Sequence, residues 1–183
     1  MGDADVQRAA KKLVARLTEM GIPYAICGGL AVTAHGYVRT TEDVDVLLTP
    51  SGLEQFKARW LGRGWIERFP GSRGMRDTEF NVNVDILLTG DYPGDGKPKP
   101  VTFPEPSAAI HAGEPRLLSL PMLIELKLAS GISALSRLKD LADVEELIII
   151  NKLPRSFTAH LNSYVHAKYD ELWLAAQTRE EEH

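Results

Sequence analysis

Residues 24–48, YAICGGLAVTAHGYVRTTEDVDVLL, narrow the folds open to this chain more than any other stretch. A short apolar run meets a glycine pair, Gly28-Gly29, and then the segment LAVTAH, which suits a brief helix closed by Gly36. Residues 44–48 follow as a second apolar run with two acids at its start, Asp43 and Asp45. Thirteen residues separate Gly29 from Asp43, enough for one short helix and a return strand. The order is strand, glycine turn, helix, strand, and both acids point to one side because side chains alternate along a strand.

A second strand carries a matching acid. Residues 78–88 read as one strand with Phe80, Val82, Val84 and Ile86 on one face and Asn81, Asn83 and Asp85 on the other. Around these lie an amphipathic helix at 4–19, a helix at 53–61, an edge strand at 65–69 and a proline-rich loop at 90–106 that reads as a lid or linker. Helices are expected at 117–130, 137–150 and 156–177, with Gly131 stopping the first of them. The first half thus mixes strands and helices and the second half is helical. This predicts an α+β fold, a small mixed sheet flanked by helices, with residues 1–106 as the core and 107–183 as a helical C-terminal region packed on it.

Composition removes several classes. Of 183 residues, 44% are hydrophobic, so a real core is expected. No apolar run reaches the roughly 20 residues of a membrane helix, so no membrane partner is expected. A single cysteine, Cys27, excludes an internal disulfide framework and fits a reducing compartment. With an N-terminus that lacks an apolar signal core, this predicts a cytoplasmic protein. The net charge of −4 argues against a broad nucleic-acid footprint and leaves room for a local basic patch.

The acids carry the chemistry. Two carboxylates side by side repel unless a cation lies between them, and Mg²⁺ prefers oxygen ligands. Asp43, Asp45 and Asp85 therefore read as a site for two Mg²⁺ ions, with Mn²⁺ an alternative, serving an in-line displacement on a nucleoside triphosphate (NTP). Asp85 can also accept the proton of an attacking hydroxyl. The competing reading is that the acids cap strand ends or pair with Arg39. Gly28 and Gly29 let the backbone approach a phosphate closely. Arg39 and Thr40 precede the acids, and Arg39 either contacts a phosphate or holds Asp43. Lys127, flanked by Leu126 and Leu128, can reach a triphosphate as a point charge. Asp140 and Asp143 share a helix face, and Arg137 and Lys139 stand beside them without an assigned role.

CGGLAVTAHGYVRTTEDVDVLL resembles the signature of the DNA polymerase β-type nucleotidyltransferase superfamily: a glycine pair, a short helix, an acid-x-acid strand and a later strand acid. Gly28, Gly29, Asp43, Asp45 and Asp85 carry the match. ELKLASGISALSRLKDLADVEEL looks like the lysine-then-acid helices of bacterial minimal nucleotidyltransferases, including AbiEii-type toxins. The resemblance implies transfer of a nucleoside monophosphate from an NTP such as ATP to an acceptor hydroxyl with release of pyrophosphate. It implies that Lys127 touches the triphosphate and that Asp140 or Asp143 supports the nucleotide or acceptor. The acceptor is left open among an RNA end, a protein and a small molecule, and a toxin would have a cognate antitoxin as partner. Two alternatives are an inactive antitoxin-like binding partner of the same fold and an antibiotic nucleotidyltransferase. In one respect the chain departs from the signature: many members have Gly-Ser where this one has Gly28-Gly29, so no serine hydroxyl is available for a phosphate.

Overall fold

The computed structural model describes residues 2–108, 110–111 and 113–183, with the backbone alone at 110 and 111. The elements run α1 (Asp3–Glu19), β1 (Ala25–Ile26), α2 (Gly28–Ala34), β2 (Val44–Leu48), α3 (Pro50–Trp60), β3 (Trp65–Glu67), β4 (Met75–Asp77), β5 (Val82–Leu88), β6 (Ile110–His111), β7 (Leu117–Leu118), α4 (Leu120–Ser133), α5 (Leu138–Ile150) and α6 (His166–Glu181). The α+β class is as the sequence indicates. The chain forms two compact units that interleave along it. One comprises Met1–Ala31, Arg39–Thr89 and Pro104–Leu118, and the other Val32–Val38, Gly90–Phe103 and Ser119–His183.

Among the described residues, all seven strands belong to the first unit, in the order β3-β4-β5-β2-β1-β7-β6. The sheet is mixed: β2 pairs with β5 in parallel, as β1 does with β7, and the other pairings are antiparallel. Burial along β5 alternates residue by residue, with Val82, Val84, Ile86 and Leu88 inward. Those side chains join Val44, Val46 and Leu48 of β2, Leu13 and Leu17 of α1, and Phe56 of α3 in one core. On the opposite face Asp45 and Asp85 are partly exposed, while Leu47 of β2 is buried. Trp65 on the edge strand β3 is fully buried, edge-on to Phe56 at 5.2 Å between ring centroids. The Lys12 ammonium lies 4.4 Å from the centre of its ring and 3.1 Å from the buried Asp77 carboxylate.

The single strand expected over 78–88 is a turn at 78–81 followed by β5. The Asp77 carboxylate accepts from the backbone N–H groups of Glu79 and Phe80. Asn81 then takes a left-handed conformation (φ +55°), which breaks the ladder before β5 begins.

The second unit is built on α4, α5 and α6. Leu123, Ile124, Leu128, Val144, Leu147, Ile148, Val165 and Tyr169 form its interior. The helix expected from 117 starts later, because Leu117 and Leu118 pair as β7 and Pro121 sits in the first turn of α4. Gly131 does not stop it. A Cβ there would lie 2.3 Å from a Leu141 methyl, so this glycine lets α5 pack against α4. The helix expected over 156–177 is interrupted by two 3₁₀ segments, Arg155–His160 and Ser163–Val165, before α6. The Asn162 side chain accepts from the Tyr164 N–H and starts the chain afresh. The loop read as a lid is tied within this unit. The Asp95 N–H donates to the Ser133 hydroxyl at 3.1 Å, and the Lys99 ammonium bonds the Pro93 and Lys97 carbonyls and the Asp95 carboxylate.

Candidate active site

In the first unit the parallel pairing of β2 with β5 places Asp45 directly opposite Asp85. Side chains opposite each other in register share a face, and here it is the face away from the core. Asp43 stands just before β2, on the same side as Asp45 by the two-residue period of the strand. Asn83, two before Asp85, hydrogen-bonds the Asp43 carboxylate.

Gly28 closes the row from the other side. It has φ +57°, and a Cβ added there would fall 2.0 Å from Asp45 Oδ2. Only a residue without a side chain lets the Asp45 carboxylate lie against the turn. Gly29 has an ordinary φ but a similar constraint: a Cβ would lie 2.5 Å from the Thr41 hydroxyl and 3.3 Å from Arg39 Nη1. The Thr41 hydroxyl donates to the Asp43 carbonyl at 3.3 Å. Thr40, expected in the site, contributes its carbonyl, which accepts from Arg39 Nη1 at 3.2 Å. The side chain that a Cβ at Gly29 would meet is thus Thr41, not Thr40.

The carboxylates feel one another. Burial raises the pKa of Asp43 above the ordinary aspartate value, and the charge of Asp85 raises it further. The hydrogen bond from Asn83 and the positive charge of Arg68 oppose that rise in part. Arg68 follows β3 and pairs its guanidinium with Asp85 Oδ1. Arg76, on β4, donates to the Asn83 side chain at 3.3 Å. Two arginines from one hairpin thus reach the acidic row, one of them through Asn83. Among the described residues, no three His, Cys, Asp or Glu side chains are grouped so as to hold a metal ion as they stand. The donor chemistry does suit a hard cation: the Asp45 and Asp85 carboxylates share a face with Asp43 beside them, and the Arg68 guanidinium already stands as a counter-cation on Asp85.

Sequence reasoning placed Asn83 on the acidic face through its alternation with Asp85, but gave it no role. It missed Arg68 and Thr41 altogether. Nothing in local spacing marks Arg68, which comes to Asp85 only through pairing of β3, β4 and β5.

In the second unit Lys127 is buried. Its ammonium lies 3.0 Å from Asp140 Oδ1 and 2.8 Å from Asp143 Oδ2. Asp140 also accepts from the Ser130 hydroxyl at 2.6 Å. The expectation that Lys127 reaches a triphosphate therefore meets a competing claim, because two carboxylates already hold its charge. Arg137 donates to the Gly94 carbonyl at 3.4 Å.

No family model matches the sequence. No curated protein matches it either. Solved structures do. The antibiotic-resistance factor ANT(2'')-Ia, in its solution structure, is 18% identical, with the match covering 100% of each chain at a TM-score of 0.58. ANT(2'')-Ia in complex with adenylyl-2''-tobramycin, in a crystal structure, is 16% identical over 94% of this chain and 97% of that one, at 0.55. The fold is that of the nucleotidyltransferases. At this level of identity the match speaks for the fold alone. The sheet that sets Asp45 against Asp85 is thus the scaffold of a known fold, and no helix among the described residues is long and apolar enough to cross a membrane.

Proposed function

We propose that this protein is a divalent-metal-dependent nucleotidyltransferase whose site is the Asp43, Asp45 and Asp85 row beside the glycine turn. The observation that carries the reading is the in-register placement of Asp45 and Asp85 with Gly28 bared against Asp45. The three carboxylates would hold Mg²⁺ or Mn²⁺, which supplies neutralisation of phosphate charge during attack at the α-phosphorus. Gly28 and Gly29 leave the backbone accessible to the triphosphate beside Asp45. Asp85 accepts the proton of the acceptor hydroxyl, and Asn83 fixes the Asp43 carboxylate through its hydrogen bond. Catalysis of this type rests on positioning, and the paired strands β2 and β5 provide it.

The test is transfer of label from α-labelled NTPs into a total cell extract, resolved into RNA, protein and small molecules. Wild type is expected to label one fraction, and Asp45→Asn and Asp85→Asn none, with unchanged folding. Near-normal labelling by both variants would rule the mechanism out. Growth arrest on expression, lost in Asp45→Asn, would make the activity that of a toxin.

A second reading, an antibiotic nucleotidyltransferase, is favoured by the end-to-end match to ANT(2'')-Ia. Charge weighs against a cationic drug as acceptor. Residues 57–76 hold six basic residues and one acidic in a chain of net charge −4, and Arg68 of this segment sits on Asp85. Tobramycin as acceptor in the same labelling assay decides between a drug and another hydroxyl.

A further inference from the structure

The ion pair between Arg68 and Asp85 has no evident purpose as a stabiliser. Both side chains are more than a third exposed, and pairs of that kind contribute little to folding. It is nonetheless specified by its surroundings. The Arg68 N–H bonds the Gly74 carbonyl across the hairpin, and the Arg68 stem runs over Gly74, where a Cβ would lie 3.3 Å from Arg68 Cδ. The bare Cα at 74 thus opens the track by which Arg68 reaches from β3 across β4 to β5. The guanidinium arrives on the far side of the acidic row from the glycine turn, giving the sequence Gly28, Asp45, Asp85, Arg68 across the sheet.

We infer that Arg68 is an exchangeable counter-cation of the site: it neutralises Asp85 while no ligand is bound, and passes to the phosphates when a metal-bound NTP arrives. This rests on the proposed reading of the carboxylates as metal ligands. Two cations would compete for one carboxylate, so a metal held there would weaken the hold of Asp85 on the Arg68 guanidinium. Once released, a long, half-exposed arginine beside the row has an obvious new partner in the anion brought with the metal, since its planar fork matches phosphate oxygens. No covalent bond changes. One ion pair, Arg68 with Asp85, is replaced by two interactions, metal with Asp85 and Arg68 with phosphate.

The exchange makes opposite predictions for two ligands, which a merely structural arginine would not. Arg68→Ala should bind Mn²⁺ alone about threefold to fivefold tighter than wild type, because a half-exposed competitor is gone. It should bind Mg²⁺ with the α,β-methylene NTPs about tenfold more weakly, because a charge-assisted contact is lost. Arg68→Lys should fall between, and Arg63→Ala, at an exposed arginine just before β3, should match wild type in both. Isothermal titration reads each constant without turnover, and circular dichroism checks the fold. Unchanged or weaker Mn²⁺ binding in Arg68→Ala overturns the exchange, as does unchanged nucleotide binding. If wild type and Arg68→Ala bind neither Mn²⁺ nor any of the four nucleotides, the metal reading of the site itself fails and takes the exchange with it.

Discussion

Replacing Gly28 by alanine separates backbone strain from damage to the site. The strain has a reference in the same molecule: Gly21 has φ +64° with nothing within 4 Å of an added Cβ, while Gly28 has φ +57° with Asp45 Oδ2 at 2.0 Å. Gly21→Ala should therefore cost only the left-handed conformation of an L-residue, about 1 kcal/mol, or roughly 3 °C in Tm for a chain of this size. Gly28→Ala carries the same strain and a clash. The Asp45 carboxylate must withdraw by about 1 Å to restore even a tight contact. We expect a total near 2 kcal/mol, about 6 °C in Tm. A shift of that size in a positioned carboxylate should lower transfer about 100-fold. Thermal unfolding and the α-labelled NTP assay measure the two effects. Refutation would be a Gly28→Ala protein that loses no more stability than Gly21→Ala and keeps its activity, for then Asp45 does not depend on the bare turn.

Other expectations follow from the same geometry. Lys127→Met removes the ammonium that Asp140 and Asp143 share, and should lower stability to urea by about 3 kcal/mol; adding Asp143→Asn should return part of the loss. Asp43→Asn should raise Tm at neutral pH while abolishing transfer, because burial and the charge of Asp85 disfavour the ionised carboxyl in the fold. Tyr169 is buried, donates to the Pro154 carbonyl at 3.0 Å, and has its pKa raised by that burial and by the charge of Asp170. Its folded value lies above its unfolded value near 10, so its contribution is complete below about pH 10 and is lost as pH rises beyond it. Tyr169→Phe should flatten that alkaline decline in a pH series of thermal melts.

The central part of the fold was legible because its signals are local. The apolar alternation of residues 82–88 and the acid-x-acid start of β2 mark two strands, and the alternation along β5 puts Asp85 on its less buried face. That the two strands are neighbours in register is a tertiary fact, and it makes a site of what would otherwise be separate acids. Where the sequence misled, a side chain outside the local period decided the outcome. Asp77 folds residues 78–81 into a turn by capping two N–H groups, and Asn162 restarts the chain before α6. Gly131 reads as a helix stop in isolation and becomes a packing contact only because Leu141 comes back against it. Arg68 left no trace at all, since it meets Asp85 across two strand pairings and 17 positions of sequence.

A crystal structure grown with Mn²⁺ and a non-hydrolysable NTP analogue, read by anomalous scattering at the manganese edge, addresses the carboxylate row itself. The account predicts manganese about 2 Å from oxygens of Asp43, Asp45 and Asp85, with the triphosphate against Gly28 and Gly29. Manganese bound elsewhere, or a nucleotide seated away from that turn with Arg68 still on Asp85, would contradict it.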